Sequence, residues 1–407
     1  MCTVVLAFVL AAVGLAIADE AAGPPADEAA GPPAVEVHGW SLTRYYFDTT
    51  VYATRDGTGL VSDEEDKSHL EWERFSLSAK ARLADGKQAY AEVYIHPWLA
   101  NDDPSFLYLE SLYLDIPADP SNTVRIGKGR SVAFGIVPAY GNRKTSNYGP
   151  LAETFTMDRA LGIQVMHKQG ANTLDVGLFD SQRPGARLIG MAADAQLDRG
   201  PAVLVTTTPH LANRDTPADR SGELELSARY GRQMGDLNVG LSGRGGAMDD
   251  ADSAFLAAKF PTYNGTNKTR LYSGFDATYK KMPWHATGEY YGGTLGGIRH
   301  SGYALLVGVE PTKECAGIWR ELSGACKGIF VRYTNLDVGV DPVVNNPYTW
   351  DTQQWAVSYV LPLTGVGLDV PFFKWLQFEY EQNKEDVPEG ADESPNNVLF
   401  VELFGAF

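Results

Sequence analysis

From about residue 37 to residue 407, apolar and polar side chains alternate one for one in segment after segment. Leu224, Leu226, Ala228 and Tyr230 oppose Glu223, Glu225, Ser227 and Arg229. Leu237, Val239 and Leu241 oppose Asn238, Gly240, Ser242 and Arg244, and Leu271, Phe275, Ala277 and Tyr279 oppose Arg270, Asp276, Thr278 and Lys280. Ala89, Ala91, Val93 and Ile95 face away from Glu92, and Trp284, Ala286 and Tyr290 face away from Glu289. In the last run, Leu399, Val401, Leu403 and Phe407 share a face, with Glu402 on the other. A period of two marks strands with one apolar and one polar face. The runs approach the roughly 9–11 residues with which a tilted strand crosses a bilayer.

The spacing of the turns tests that reading. Short connections fall at 84–87, 117–122, 168–172, 231–236 and 280–283, and long polar ones at 48–69, 130–158, 245–268, 336–350 and 383–396. Short turns on one side and long loops on the other are the layout of an antiparallel transmembrane β-barrel, with short periplasmic turns and long extracellular loops. Both ends are expected on the periplasmic side, so the strand count must be even. Accepting 187–197 and 201–209 as strands, joined through Asp198-Arg199-Gly200-Pro201, keeps the phase and predicts eighteen. Removing the two weakest segments predicts sixteen.

The N-terminal region reads differently. Residues 4–17 form a short apolar run, and Ala16-Ile17-Ala18 is a small-x-small cleavage signal, so 1–18 is expected to be a signal peptide, though without a basic residue ahead of the run. Residues 18–25 and 26–33 repeat Ala-Asp-Glu-Ala-Ala-Gly-Pro-Pro, and 19–36 is expected to be a periplasmic linker ahead of a barrel at 37–407. No later segment has the 18 apolar residues of a membrane-spanning helix. Cys315 and Cys326 are close in sequence in an exported chain, and a disulfide between them is expected, within an unusually long periplasmic connection.

Composition narrows the function. Tyr (20) and Trp (8) suit interfacial girdles. A net charge of −17 and a pI near 4.8 exclude a basic nucleic-acid face. The seven histidines are scattered without metal-ligand spacing, so no metal or cofactor is expected. Gly127-Lys-Gly-Arg-Ser-Val132 lacks the last glycine of a dinucleotide loop, and Gly240-Leu-Ser-Gly-Arg244 lacks that of a nucleophile elbow. The chain does not read as an enzyme.

The segment 124–166 carries the most functional information. A strand runs into a long Gly/Pro/Asn-rich loop and a strand returns. Such a loop can fold into a barrel's lumen and narrow it. Its basic residues are Arg125, Lys128, Arg130, Arg143, Lys144 and Arg159, against Glu153 and Asp158. Arginines at a constriction attract anions, and their forked donors suit phosphate. The alternating faces place Glu92, Arg229, Arg244, Arg270, Glu289 and Arg332 on the lumen wall. Gly127-Lys128, Phe134-Gly135, Arg159-Ala-Leu-Gly-Ile-Gln-Val165, Val176-Gly-Leu-Phe179, Ala91-Glu-Val-Tyr94 and the terminal strands resemble the phosphate-selective porin O and P family. That resemblance implies a homotrimeric outer-membrane channel for small anions, about 16 strands in size, with lipid and small hydrophilic solutes as its partners. Two other readings compete. One is a barrel sheathing a partner protein of an electron conduit, which needs well over eighteen strands. The other is an outer-membrane hydrolase, which needs Ser, His and an acid converging near the rim.

Overall fold

The structure is a computed structural model that describes residues 35–47, 52–56, 59–64, 69–95, 107–129, 133–136, 145, 149–156, 160–180, 183–186, 211–214, 223–310, 328–343, 349–366, 371–386, 388–390 and 396–407. The expected signal peptide, most of the linker and the Cys315–Cys326 pair lie outside these residues.

The strands are Val35–Phe47 (β1), His69–Arg82 (β2), Gln88–Ile95 (β3), Leu107–Asp119 (β4), Asn122–Gly129 (β5), Ala160–Gln169 (β6), Asn172–Asp180 (β7) and Leu224–Met234 (β8). They continue as Leu237–Ala247 (β9), Thr269–Lys281 (β10), Trp284–Leu295 (β11), Ile298–Val309 (β12), Gly328–Val338 (β13), Thr352–Pro362 (β14), Phe373–Glu385 (β15) and Asn396–Ala406 (β16). Each pairs antiparallel with its sequence neighbours, and β1 pairs with β16 to close the barrel. Two hairpins, 52–56 with 59–64 and 183–186 with 211–214, form separate two-stranded sheets within loops. The barrel starts at Val35, two residues before the expected boundary.

The closed barrel has 16 strands, which corrects the favoured count of eighteen. The ladder between β7 and β8 runs unbroken from Asp180↔Leu224 to Asn172↔Arg232, so both edges are filled and no strand can enter between them. The segments 187–197 and 201–209 lie outside the described residues. Alternation is needed for a barrel strand, but so are two free neighbouring edges.

In hydrocarbon a strand can satisfy its amides and carbonyls only through its neighbours, so a sheet that spans must close. The outward faces carry the expected apolar residues, among them Leu226, Leu241, Leu271, Trp284, Tyr290 and Leu305, all exposed. The short turns at 84–86, 120–121, 170–171, 235–236 and 282–283 gather at one end with both ends of the barrel chain, while the two-residue turn at 296–297 lies at the other. The first of these ends faces the periplasm, since short turns take that side. Among the described residues, no helix is long and apolar enough to cross a membrane.

Closure is completed at the periplasmic rim. The Gly39 N–H donates to the Phe407 carbonyl at 3.1 Å, and the Phe407 N–H donates back to Gly39 at 2.9 Å. The Phe407 ring lies over Gly39, where an added Cβ would sit 2.4 Å from it, and 6.0 Å from the Phe372 ring. Gly39→Val is therefore expected to push the ring away and cost about 1–3 kcal/mol of barrel stability. The measurement is a urea titration followed by the mobility shift of folded barrel on unheated gels. A titration unchanged by the substitution would show that this seam does not hold the barrel shut.

Candidate functional site: the lumen wall and its inward loop

Alternation turns every second side chain of the wall inward, and the inward set is rich in charge. Arg125 bonds both carboxylate oxygens of Asp115, at 2.7 and 2.8 Å, with its guanidinium carbon 3.8 Å over the Tyr113 ring. Arg229 meets Asp276 at 2.5 Å. Glu225 sits between Arg244 and Arg270 and pairs with both, and all three side chains are buried. Arg44 holds Glu402 through two hydrogen bonds at 2.5 and 3.0 Å. Glu92 accepts from Ser76 at 2.7 Å and Tyr90 at 3.1 Å, and Glu289 accepts from Tyr291 at 3.1 Å. Removing one member of such a buried pair leaves a desolvated charge, at a cost of about 3–5 kcal/mol.

The loop between β5 and β6 reaches this wall. The Ala133 carbonyl accepts from Ser227 Oγ at 3.1 Å, Gly135 N–H donates to Ser242 Oγ at 2.9 Å, and Ile136 N–H donates to Tyr291 Oη at 3.0 Å. Ser227, Ser242 and Tyr291 point inward from β8, β9 and β11, so this stretch lies inside the barrel. Farther along, Arg332 on β13 donates to Thr145 Oγ1 at 2.7 Å and Gln354 Oε1 at 2.5 Å, with Glu381 at 3.6 Å. A short helix, Pro150–Phe155 (α1), follows against β12, β13 and β14. Its Phe155 meets the Tyr272 ring at 5.2 Å and the Tyr291 ring at 5.9 Å.

These rings belong to an apolar core inside the barrel. Phe134, Leu151 and Phe155 from the loop join Phe179, Tyr272, Tyr291, Leu295, Ile298, Leu336 and Val338 from inward wall positions. The connection between β9 and β10 adds Met248, Leu256 and Phe260 through the helix Asp250–Lys259 (α2). Asp249 caps α2 by accepting from Asp252 N–H at 2.7 Å. The Lys268 hydrogen bond holds the exposed Asp250 carboxyl below its usual range. Beside this core, Thr262, Tyr263, Asn264 and Asn267 with residues 296–298, 337–341 and Asp351 line an open cleft of about 680 Å³. Burial raises the Asp351 carboxyl above its usual value, and the neighbouring carboxylates of Asp337 and Asp386 raise it further. The extracellular half between β7 and β13 is thus packed. Solvent-reaching inward groups such as Arg125, Asp115 and Arg229 lie toward the periplasm.

The positions singled out by sequence fall into three groups. Glu92, Arg229, Arg244, Arg270, Glu289, Arg332 and Arg125 all point inward. Lys128 shares the outward face with Leu112, which it pairs in register, and donates to the Leu109 carbonyl at 2.8 Å. It belongs to the outward face, because a strand of period two cannot turn both Arg125 and Lys128 inward. Arg130, Arg143, Lys144, Asp158 and Arg159 lie outside the described residues, as does the side chain of Glu153 within α1. Sequence reading missed the acidic partners Asp115, Glu225, Asp276 and Glu402, and the tether Thr145. Their inward phase was legible, but their pairing depends on register.

No family model matches this chain, and no curated protein does. Solved structures do match along nearly its whole length. The outer membrane channel DcaP of Acinetobacter baumannii superposes with a TM-score of 0.56 at 12% identity, covering 94% of this chain and 100% of that one. The in-vitro folded outer membrane protein OmpT of Vibrio cholerae, in trimer form, gives 0.52 at 11%, covering 92% and 99%. The anion-selective porin from Comamonas acidovorans gives 0.51 at 14%, covering 92% and 100%. At such identities the likeness is one of fold. A closed barrel with an apolar outer band and this fold is a protein of the bacterial outer membrane.

Gly135 ties the loop down in a conformation few residues adopt. Its φ is +63°, and a Cβ there would meet Tyr291 Oη at 2.6 Å. Gly135→Val, and Arg332→Ala at the Thr145 tether, are each expected to weaken loop attachment by about 1–3 kcal/mol. Amide hydrogen exchange over 133–156 should rise in both while the barrel strands stay protected. Unchanged exchange would mean that these contacts do not anchor the loop.

Proposed function

We propose that this protein is a passive outer-membrane channel through which small hydrophilic solutes diffuse, its lumen narrowed by the 130–158 loop. The observation that carries the reading is the hydrogen bonding of residues 133–136 and 145 to inward side chains of the closed barrel. A sheath for a partner protein needs a wider lumen than 16 strands with an apolar core inside them can offer. A hydrolase needs spare backbone donors to hold an oxyanion. His285 has Glu310 at 3.1 Å and Thr287 at 3.2 Å. Thr287 sits mid-strand between Thr278 and Leu306, where the ladders take up the amides.

Selectivity for anions, phosphate among them, is the finer part of the proposal. The wall arginines Arg44, Arg125, Arg229, Arg244, Arg270 and Arg332 are paired with carboxylates, so their fields largely cancel at short range. The sign of the constriction then rests on the loop bases Arg130, Arg143, Lys144 and Arg159, set against Glu153 and Asp158. Negative charge elsewhere on the chain is screened within about 8–10 Å at ordinary salt. The assembly proposed is a homotrimer, which light scattering of the detergent-solubilised protein checks.

The test is planar-bilayer recording under a potassium chloride gradient. Wild-type protein should conduct, with a reversal potential on the chloride side. The charge reversals Arg143→Glu and Lys144→Glu together should move it toward potassium. A protein that never conducts would sink the channel reading. A reversal potential insensitive to the double change would remove the anion preference alone.

A further inference from the structure

One hydrogen bond of the inward loop ends on a carboxylate. Ile136 N–H donates to Tyr291 Oη at 3.0 Å, and that hydroxyl donates onward to Glu289 Oε1 at 3.1 Å. Tyr291 is fully buried, and its ring lies across Gly274 of β10, where a Cβ would strike it. The ring is therefore held in place, and the hydroxyl is the part of Tyr291 that can answer a change at Glu289.

Glu289 sits two residues from Tyr291 on the same inward face of β11 and is half-buried. Among the described residues Tyr291 is its hydrogen-bond partner, and no cation lies within ion-pair distance of it. Facing it in register on β10 is a second carboxylate, Asp276. Arg229 of β8 is committed to Asp276. It reaches over β9, where Gly240 leaves the passage open, and bonds both carboxylate oxygens at 2.5 and 3.2 Å. Asp175 of β7 lies opposite Arg229 as well. On the other side β12 places Ala304 opposite Glu289, and beyond it Arg332 is held by Thr145, Gln354 and Glu381. On β11 itself, His285 is held by Glu310 and Thr287. Asp175, Asp276 and Glu289 thus gather round one arginine, and Glu289 is the member that its hydrogen bonds do not reach.

Like charges directly opposite on neighbouring strands repel, and a proton on one of them ends the repulsion. A hydrogen bond that ends on a charge is stronger than a neutral one, and its polarisation passes along the chain. We propose that Glu289 is a proton-operated latch on the inward loop. Ionised, it draws the Tyr291 hydroxyl hydrogen and makes Oη a strong acceptor for Ile136 N–H. A proton from the lumen water, added to a Glu289 oxygen, gives a neutral carboxyl that turns its O–H to Asp276 and weakens its hold on Tyr291. Residues 133–136 then loosen, while Ser227 and Ser242 keep their bonds to the loop. The latch needs only this chain of hydrogen bonds, and its effect on current rests on the channel reading.

The experiment follows amide exchange of 133–136 in the detergent-solubilised barrel from about pH 8 to about pH 4, through the carboxyl range. Exchange is expressed as protection factors, which removes the intrinsic effect of pH. Wild-type protection should fall by about fivefold as the pH is lowered, the difference between a charged and a neutral hydrogen bond. Glu289→Gln should show the lower protection at every pH. Asp276→Asn should keep the transition but move it to lower pH, a displacement that a merely structural role for Glu289 would not produce. The gel mobility of unheated samples establishes that each variant is folded. Flat protection in the wild-type protein, or a transition that survives Glu289→Gln, would overturn the proposal. Single-channel recording over the same range separates the two readings. Conductance that changes with the transition supports both, whereas a transition in a protein that never conducts overturns the channel reading and leaves the latch standing.

Discussion

Everything in this molecule follows from the need to satisfy a backbone in lipid. A strand in hydrocarbon has no water to turn to, so each amide and carbonyl must find a neighbouring strand. The seam between β1 and β16 is where that requirement is met last, through Trp40↔Ala406 to Phe47↔Leu399 and the reciprocal bonds of Gly39 and Phe407. Closure fixes which side chains face outward and which inward. The outer face can then be wholly apolar only if the polar half of every strand is gathered inside. The charge density of the lumen wall is thus a consequence of topology before it is a device for transport.

That gathering creates its own problem. Buried charge is costly unless paired. The wall answers with cross-strand pairs, Glu225 between Arg244 and Arg270 being the densest. Pairing removes most of the local field these arginines would exert on a passing ion. It also leaves one arginine, Arg332, spread among Glu381, Gln354 and Thr145, so that a wall charge doubles as an anchor for the inward loop. The pairing of the wall and the attachment of the loop therefore share a residue.

The fold was legible because alternation and turn spacing are local signals. The faces of β8, β9, β10, β11 and β16 and the inward phase of Glu92, Arg229 and Glu289 all follow from period two. The strand count failed for a non-local reason: whether 187–209 could join the sheet depended on the edges of β7 and β8 already being paired. Lys128 was grouped with Arg125 by proximity and charge, although an odd number of residues separates the faces of a strand. The acidic partners were hidden because Glu225 lies 19 residues from Arg244 and 45 from Arg270. Only register brings them together, and register is shifted by irregularities at 42/43, 92/93, 117/119 and 373/375.

The two halves of the lumen obey different physics. Toward the exterior, between β7 and β13, the loops bring Phe134, Leu151, Phe155, Leu256 and Phe260 onto inward tyrosines and aliphatics, and the space is filled as a protein core is filled. Toward the periplasm the inward groups that reach solvent are ion pairs such as Arg125–Asp115 on one arc and the stacked rings of Trp375, Phe404 and Trp40 on another. The inside of the barrel is thus divided between a half filled by side-chain packing and a half lined by ion pairs and rings.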